Sequence, residues 1–96
     1  MTYSFHPEAE YELNEAVDYY ETRQPGLGQR FHREFADALA RVINHPLGYG
    51  VLEAPYRLCR LTAFPYGILF EVRDEEIVVV AVMHLHRRPG YWRDRL

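Results

Sequence analysis

The chain has 96 residues, 48% hydrophobic and 15% aromatic, which supplies one core and leaves no length for a second domain. A single cysteine, Cys59, excludes an internal disulfide and a thiol metal framework, and no apolar run approaches membrane-spanning length. All 11 residues of the Lys/Arg class are arginine, so chemistry that needs a lysine amine is excluded.

The net charge of −3 hides an asymmetry. Up to Glu53 there are nine acidic residues and four arginines; from Ala54 onward there are five acidic residues and seven arginines. A basic face can therefore coexist with an acidic whole. The start of the chain has no basic n-region and no apolar h-region, so the expectation is one soluble, cytoplasmic domain over residues 1–96.

Thr2 to His6 alternates Tyr3 and Phe5 with polar neighbours, as a short strand does. Pro7 suits a first helical position, and Glu8, Glu10 and Glu12 favour the positive end of a helix dipole. Ala9, Leu13, Ala16, Val17 and Tyr20 then form one apolar face, predicting a helix from Pro7 to Arg23 with its carboxylates on the solvent side. Gln24 to Gly28 is turn chemistry. Leu27, Phe31, Phe35, Leu39, Val42 and Ile43 predict a second helix, antiparallel to the first and stopped by Asn44-His45-Pro46. Residues 46–55, rich in glycine and proline, are expected to be a loop. Tyr56 to Thr62, Tyr66 to Arg73 and Ile77 to Met83 predict a three-stranded meander, the last strand apolar enough to be covered on both faces. The expected class is α+β: an N-terminal strand and an antiparallel helical hairpin packed on an antiparallel sheet.

The candidate functional residues follow the last strand: His84, His86, Arg87, Arg88, Tyr91, Trp92, Arg93 and Arg95. Guanidinium forks match phosphate geometry, aromatic rings stack on bases, and imidazole moves protons near neutral pH, which together make a plausible contact set for single-stranded RNA or DNA. The competing explanation is a solvated arginine tail pinned to the sheet by Tyr91 and Trp92. Two histidines are too few for a metal site, so neither metal nor cofactor is expected. Arg57 and Arg60 lie on opposite faces of their strand, so at most one joins the tail cluster. No phosphate loop or nucleophile elbow is present.

The blocks Phe5-His6-Pro7-Glu8-Ala9-Glu10-Tyr11-Glu12-Leu13, Ala16-Val17-Asp18-Tyr19-Tyr20, Gly26-Leu27-Gly28, Phe64-Pro65-Tyr66 and His84, Arg87, Pro89, Trp92, Arg95 resemble, in order and spacing, the ParE/RelE toxins of bacterial type II toxin–antitoxin modules. The resemblance spans nearly the whole chain. It implies two helices on an antiparallel sheet and neutralisation by a cognate antitoxin. It also implies one of two targets: DNA gyrase for ParE-like members, or ribosome-bound messenger RNA, which RelE-like members cut as endoribonucleases. The fold alone does not choose, and a toxin-like fold that only binds a partner is a third reading.

Under the ribonuclease reading the resemblance implies catalytic roles for Arg87 and Tyr91, with Arg57, and His84 or His86 could substitute as acid or base. Under the binding readings, Arg57, Arg60, His86, Arg88, Trp92, Arg93 and Arg95 contact target or antitoxin. Cys59 stands where a catalytic lysine aligns, and Gly67 where RelE members carry a phosphate-gripping arginine. Losing both removes transition-state charge stabilisation. Phe64-Pro65-Tyr66 and the Pro7-led helix are closer to ParE, the preferred reading.

Overall fold

The computed structural model describes residues 1–95. Strand β1 (Thr2–Phe5) leads into helix α1 (Pro7–Arg23), helix α2 (Leu27–Asn44), a 3-10 turn (Pro46–Gly48), β2 (Val51–Glu53), β3 (Tyr56–Arg60), β4 (Tyr66–Arg73), β5 (Glu76–His84) and a final 3-10 turn (Arg93–Arg95). The strands form one sheet in the order β1-β5-β4-β3-β2. Two helices on a sheet is the expected class, but the sheet is mixed: β1 runs parallel to β5, with Thr2 opposite Glu76 and Phe5 opposite Val79. The intervening helical hairpin makes this possible, because it returns the chain to the same end of the sheet.

Both helices start where their local chemistry allows. His6 Nδ1 accepts the Glu8 N–H at 3.1 Å, and Pro7 occupies the first position of α1. Helix α2 has no side-chain cap of its own. Instead Glu21, near the end of α1, accepts the N–H groups of Gly26 and Gly28 at 2.9 and 3.0 Å, placing a carboxylate at the positive end of α2. Gly28 also lets the helices touch, since a Cβ there would stand 2.5 Å from the Val17 carbonyl oxygen.

Residues 46–55 contain more structure than a loop. β2 pairs antiparallel with β3, Val51 opposite Arg57 and Glu53 opposite Tyr56, and forms one edge of the sheet. A three-residue strand is too short to show alternation, so its sequence does not reveal it. β3 ends at Arg60, short of the expected Thr62, because the N–H groups of Thr62 and Ala63 turn away to the Glu34 carboxylate on α2.

The sheet is covered on both faces. On one, the helices bury Ala9, Leu13, Phe31, Phe35 and Val42 against Ile68, Phe70, Ile77, Val79 and Val82. On the other, Tyr91 and Trp92 fold back onto Leu58, Leu69, Val80, Ala81 and Met83. The β4–β5 register shifts by one residue, from Leu69 opposite Ala81 to Phe70 opposite Val79, leaving Val80 as the extra residue of a bulge. Val80 and Ala81 both face the tail, and the alternation beyond them reverses. The bulge therefore turns His84 towards α1 and Leu85 towards the tail.

Candidate functional site: an arginine-rimmed groove built by the tail

After His84 the chain turns sharply. His84 Nδ1 accepts the His86 N–H at 3.1 Å, and its carbonyl accepts the Arg87 N–H at 3.1 Å. Gly90 takes a φ of +74°, a left-handed conformation that side chains disfavour, so glycine is what lets the tail double back. The result is a groove of about 300 Å³ between the tail and the end of the sheet. Leu58, Met83, Leu85 and Trp92 supply its apolar surface, and Arg60, Arg87 and Arg93 its cationic rim.

The expected residues separate into groups. Arg60 reaches the groove and makes no ion pair among the described residues. Arg57 points to the helix side, where its guanidinium donates to the Tyr49 carbonyl at 2.6 Å. Cys59 shares that side and is buried in the helix-side core, where burial pushes its thiol pKa up and keeps it inert. Arg88 and His86 are exposed at the turn. Trp92 is 1% exposed and packs edge-on against Tyr56, and its indole N–H is buried without an acceptor among the described residues. Arg93 pairs with Glu53 on β2, its Nε 3.1 Å from each carboxylate oxygen. The Arg95 side chain is 6% exposed and is bonded to Glu12.

Arg87 and Tyr91 do meet. The guanidinium carbon of Arg87 lies 4.0 Å from the centre of the Tyr91 ring, and that of Arg95 lies 5.0 Å away. His84 occupies a neighbouring cleft of about 210 Å³ with Glu12, Glu15, Tyr19, Tyr66 and Arg87. Its ring stacks edge-on with Tyr66 at 5.1 Å and with His86 at 5.2 Å. Thus Arg87 sits at the border of groove and cleft, His84 lies on the α1 side, and Arg57 is remote from both.

The Tyr91 hydroxyl is already committed. It donates to Glu12 Oε2 at 2.7 Å, and burial, together with that bond and the carboxylate charge, raises its pKa well above the ordinary tyrosine value of 10.0. A phenol held this way stays protonated and cannot serve as a general base near neutral pH.

Glu12 is the residue that sequence reasoning missed. It was expected on the solvent face of α1, yet its side chain is only 11% exposed because the tail folds over it. Its spacing, three residues after Ala9 and four before Ala16, sets it at the border of the apolar stripe but does not tell what covers it. The available signal was the excess of arginines in the tail, Arg87, Arg88, Arg93 and Arg95, over its one acid, Asp94. Gly67 also acquires a structural explanation: a Cβ there would lie 2.7 Å from Leu58 Cδ1 and 3.3 Å from Leu85 Cδ2, so glycine keeps the groove's apolar wall in place.

Residues 3–89 match the family model for the ParE toxin of the type II toxin–antitoxin system parDE. The chain belongs to the ParE toxin family. It is 32% identical over 86 residues to Toxin ParE2 of Mycobacterium tuberculosis, in strains CDC 1551 / Oshkosh and H37Rv alike, an alignment covering 88% of this chain and 82% of the relative. It is also similar to a chain of the chromosomal ParDE toxin–antitoxin system from P. aeruginosa, with a TM-score of 0.74 at 15% identity, covering 90% of this chain and 97% of that one. The second likeness is one of fold, and agrees with two helices on a five-stranded sheet. As a ParE-family member, the chain is the toxin type of a type II system. No described helix is long and apolar enough to cross a membrane.

Proposed function

We propose that this ParE-family toxin acts by binding a protein target, DNA gyrase, and that a cognate antitoxin neutralises it by covering the arginine-rimmed groove. One observation carries the choice of binding over cleavage. Tyr91, the residue that would do acid–base work in a RelE-like ribonuclease, is locked as a donor to Glu12, while Arg57 lies on the other face of the sheet. The chain has no lysine to replace the missing charge.

The groove itself has the make-up of a protein-recognition surface. Its apolar wall is framed by Arg60 and Arg87, with Arg88 and His86 at the turn beside it. Guanidinium groups around an apolar floor suit an amphipathic acidic segment, and that is the chemistry we assign to the antitoxin. Inducing the chain in bacteria should produce DNA-damage signalling and filamentation before protein synthesis falls, and purified chain should inhibit gyrase supercoiling. Early loss of translation with gyrase unaffected would reject the gyrase reading.

The ribonuclease reading keeps one supporting feature, the shared cleft of His84 and Arg87. Ribosome-dependent cuts in messenger RNA that disappear in Arg87→Ala would favour it. Normal growth during strong induction would favour a fold that only binds a partner.

A further inference from the structure

Donors from a strand and from the tail converge on a single carboxylate. Glu12 Oε1 accepts the Val82 N–H at 3.0 Å and Arg95 Nη1 at 2.8 Å; Oε2 accepts the Tyr91 hydroxyl at 2.7 Å and Arg95 Nη2 at 2.8 Å. Arg87 Nη1 lies 3.6 Å from Oε2. Arg95, with a side chain 6% exposed, also donates to the Val80 carbonyl at 3.1 Å. These contacts fall where β5 lacks a strand neighbour. β1 stops at Phe5, opposite Val79, so the outward carbonyl of Val80 and N–H of Val82 have no strand beyond them. Glu12 and Arg95 stand in for the missing backbone and close that stretch of sheet edge.

We infer that Glu12 is a positioning residue of the binding groove, which it does not itself line: its carboxylate fills an anion cradle and so fixes the pose of the tail that forms one wall. This rests on the groove being the binding surface. The physical argument has two steps. The tail's apolar contacts bury Tyr91 and Trp92 but are non-directional, so they set no register by themselves, whereas a two-pronged guanidinium–carboxylate pair with a hydroxyl bond fixes one. Pro89, Gly90, Trp92 and Arg93 of the wall belong to that same segment, and Arg87 is stacked on Tyr91, so the wall and part of the rim follow the clasp. Without Glu12, the Arg95 side chain keeps only the exposed Glu8 carboxylate, 3.8 Å from its Nε, as counter-charge, a weak partner that favours releasing the tail into water.

The test uses the chain's only tryptophan, Trp92, as a reporter of tail docking. In Glu12→Ala, Trp92 emission should shift to the red and acrylamide quenching should rise severalfold, with the far-ultraviolet circular dichroism of the helices retained. Growth arrest on induction should be lost. Acetate, a carboxylate small enough to enter the vacated cradle, should restore the blue emission in the purified variant. Arg95→Met opens the same clasp from the tail side while keeping an aliphatic stem, and gives both readouts should Glu12→Ala not fold.

Trp92 emission unchanged in the folded variants overturns the inference. Released Trp92 with growth arrest intact also overturns it, since the groove would then not depend on the tail. If the unaltered chain does not arrest growth, the toxin proposal fails, and Glu12's hold on the tail is judged on Trp92 and acetate alone.

Discussion

The two faces of the sheet are covered by different means. On the helix side, two long helices press a continuous apolar surface onto the strands. Phe31 alone has ring centres at 5.3 Å from Tyr20, 5.1 Å from Phe64 and 5.1 Å from Tyr66. On the tail side, the cover is a short irregular segment with two buried aromatic rings, fastened by Glu12 at one place and Glu53 at another. Area-driven burial alone holds the first, and on the second the burial of Tyr91 and Trp92 is joined by directional charge pairs. The difference teaches that one face of this sheet makes the fold while the other makes a surface that can be adjusted.

The strongest way to probe the comparison is to damage the helix side. Phe31→Ala removes a fully buried ring and should cost about 3–5 kcal/mol, read as a lower denaturant midpoint with helix and Trp92 signals lost together. One coincident transition is expected, because nothing on the tail side is large enough to fold without that core.

A cut on the tail side should be smaller and more local. Tyr91→Phe deletes only the hydroxyl bond to Glu12 and should cost about 1.5–3 kcal/mol, towards the lower end because Val82 and Arg95 still serve the carboxylate. Its pH signature is specific. The folded-state pKa of Tyr91 is raised, so the stability it contributes is fully present below the unfolded value of 10.0 and lost as pH rises towards the higher folded value. The alkaline loss of stability should therefore be shallower in Tyr91→Phe than in the unaltered chain. Other tyrosines are shifted upward too, so the difference between the two proteins is the quantity to measure.

Gly67→Ala tests the groove wall. The added methyl would crowd Leu58 and Leu85, an overpacking that costs about 1–3 kcal/mol and narrows the groove. Helix content should be unchanged, and gyrase inhibition should fall more than stability does.

The same contrast decides what could be read before the structure was known. Both helices were legible to within a residue, because Ala9, Leu13 and Ala16 in one and Phe31, Phe35 and Leu39 in the other mark a repeating period, with Pro7 and His45-Pro46 as punctuation. β4 was legible from its composition and its flanking turns. The parallel pairing of β1 was not, since pairing direction is set by where the intervening hairpin returns the chain. Of the site, Arg87 and Tyr91 could be placed together by proximity along the tail. The role of Glu12 could not, because helical spacing sets it beside Ala9 and Ala16 but its partners are 70 to 83 positions away. The bulge at Val80 was equally hidden, and with it the turning of His84 towards α1.

The smallest expected effect belongs to Glu53, and it separates the two clasps. Arg93 beside it holds the Glu53 carboxyl below its ordinary value of 4.5, so the contribution of this pair is present above 4.5 and is lost as pH falls through the depressed value. Both side chains are about half exposed, at 43% and 59%, so solvent and ions screen the pair. Glu53→Gln should shift the thermal midpoint only slightly, and the shift should vanish near 1 M salt, where screening acts over about 3 Å. The Glu12–Arg95 pair, at 11% and 6%, is shielded from that screening. High salt should thus free Arg93 for a partner while Trp92 remains protected from quenching. If salt exposes Trp92 as readily as Glu12→Ala does, the tail is held mainly at its exposed end, and the contrast between the two carboxylates fails.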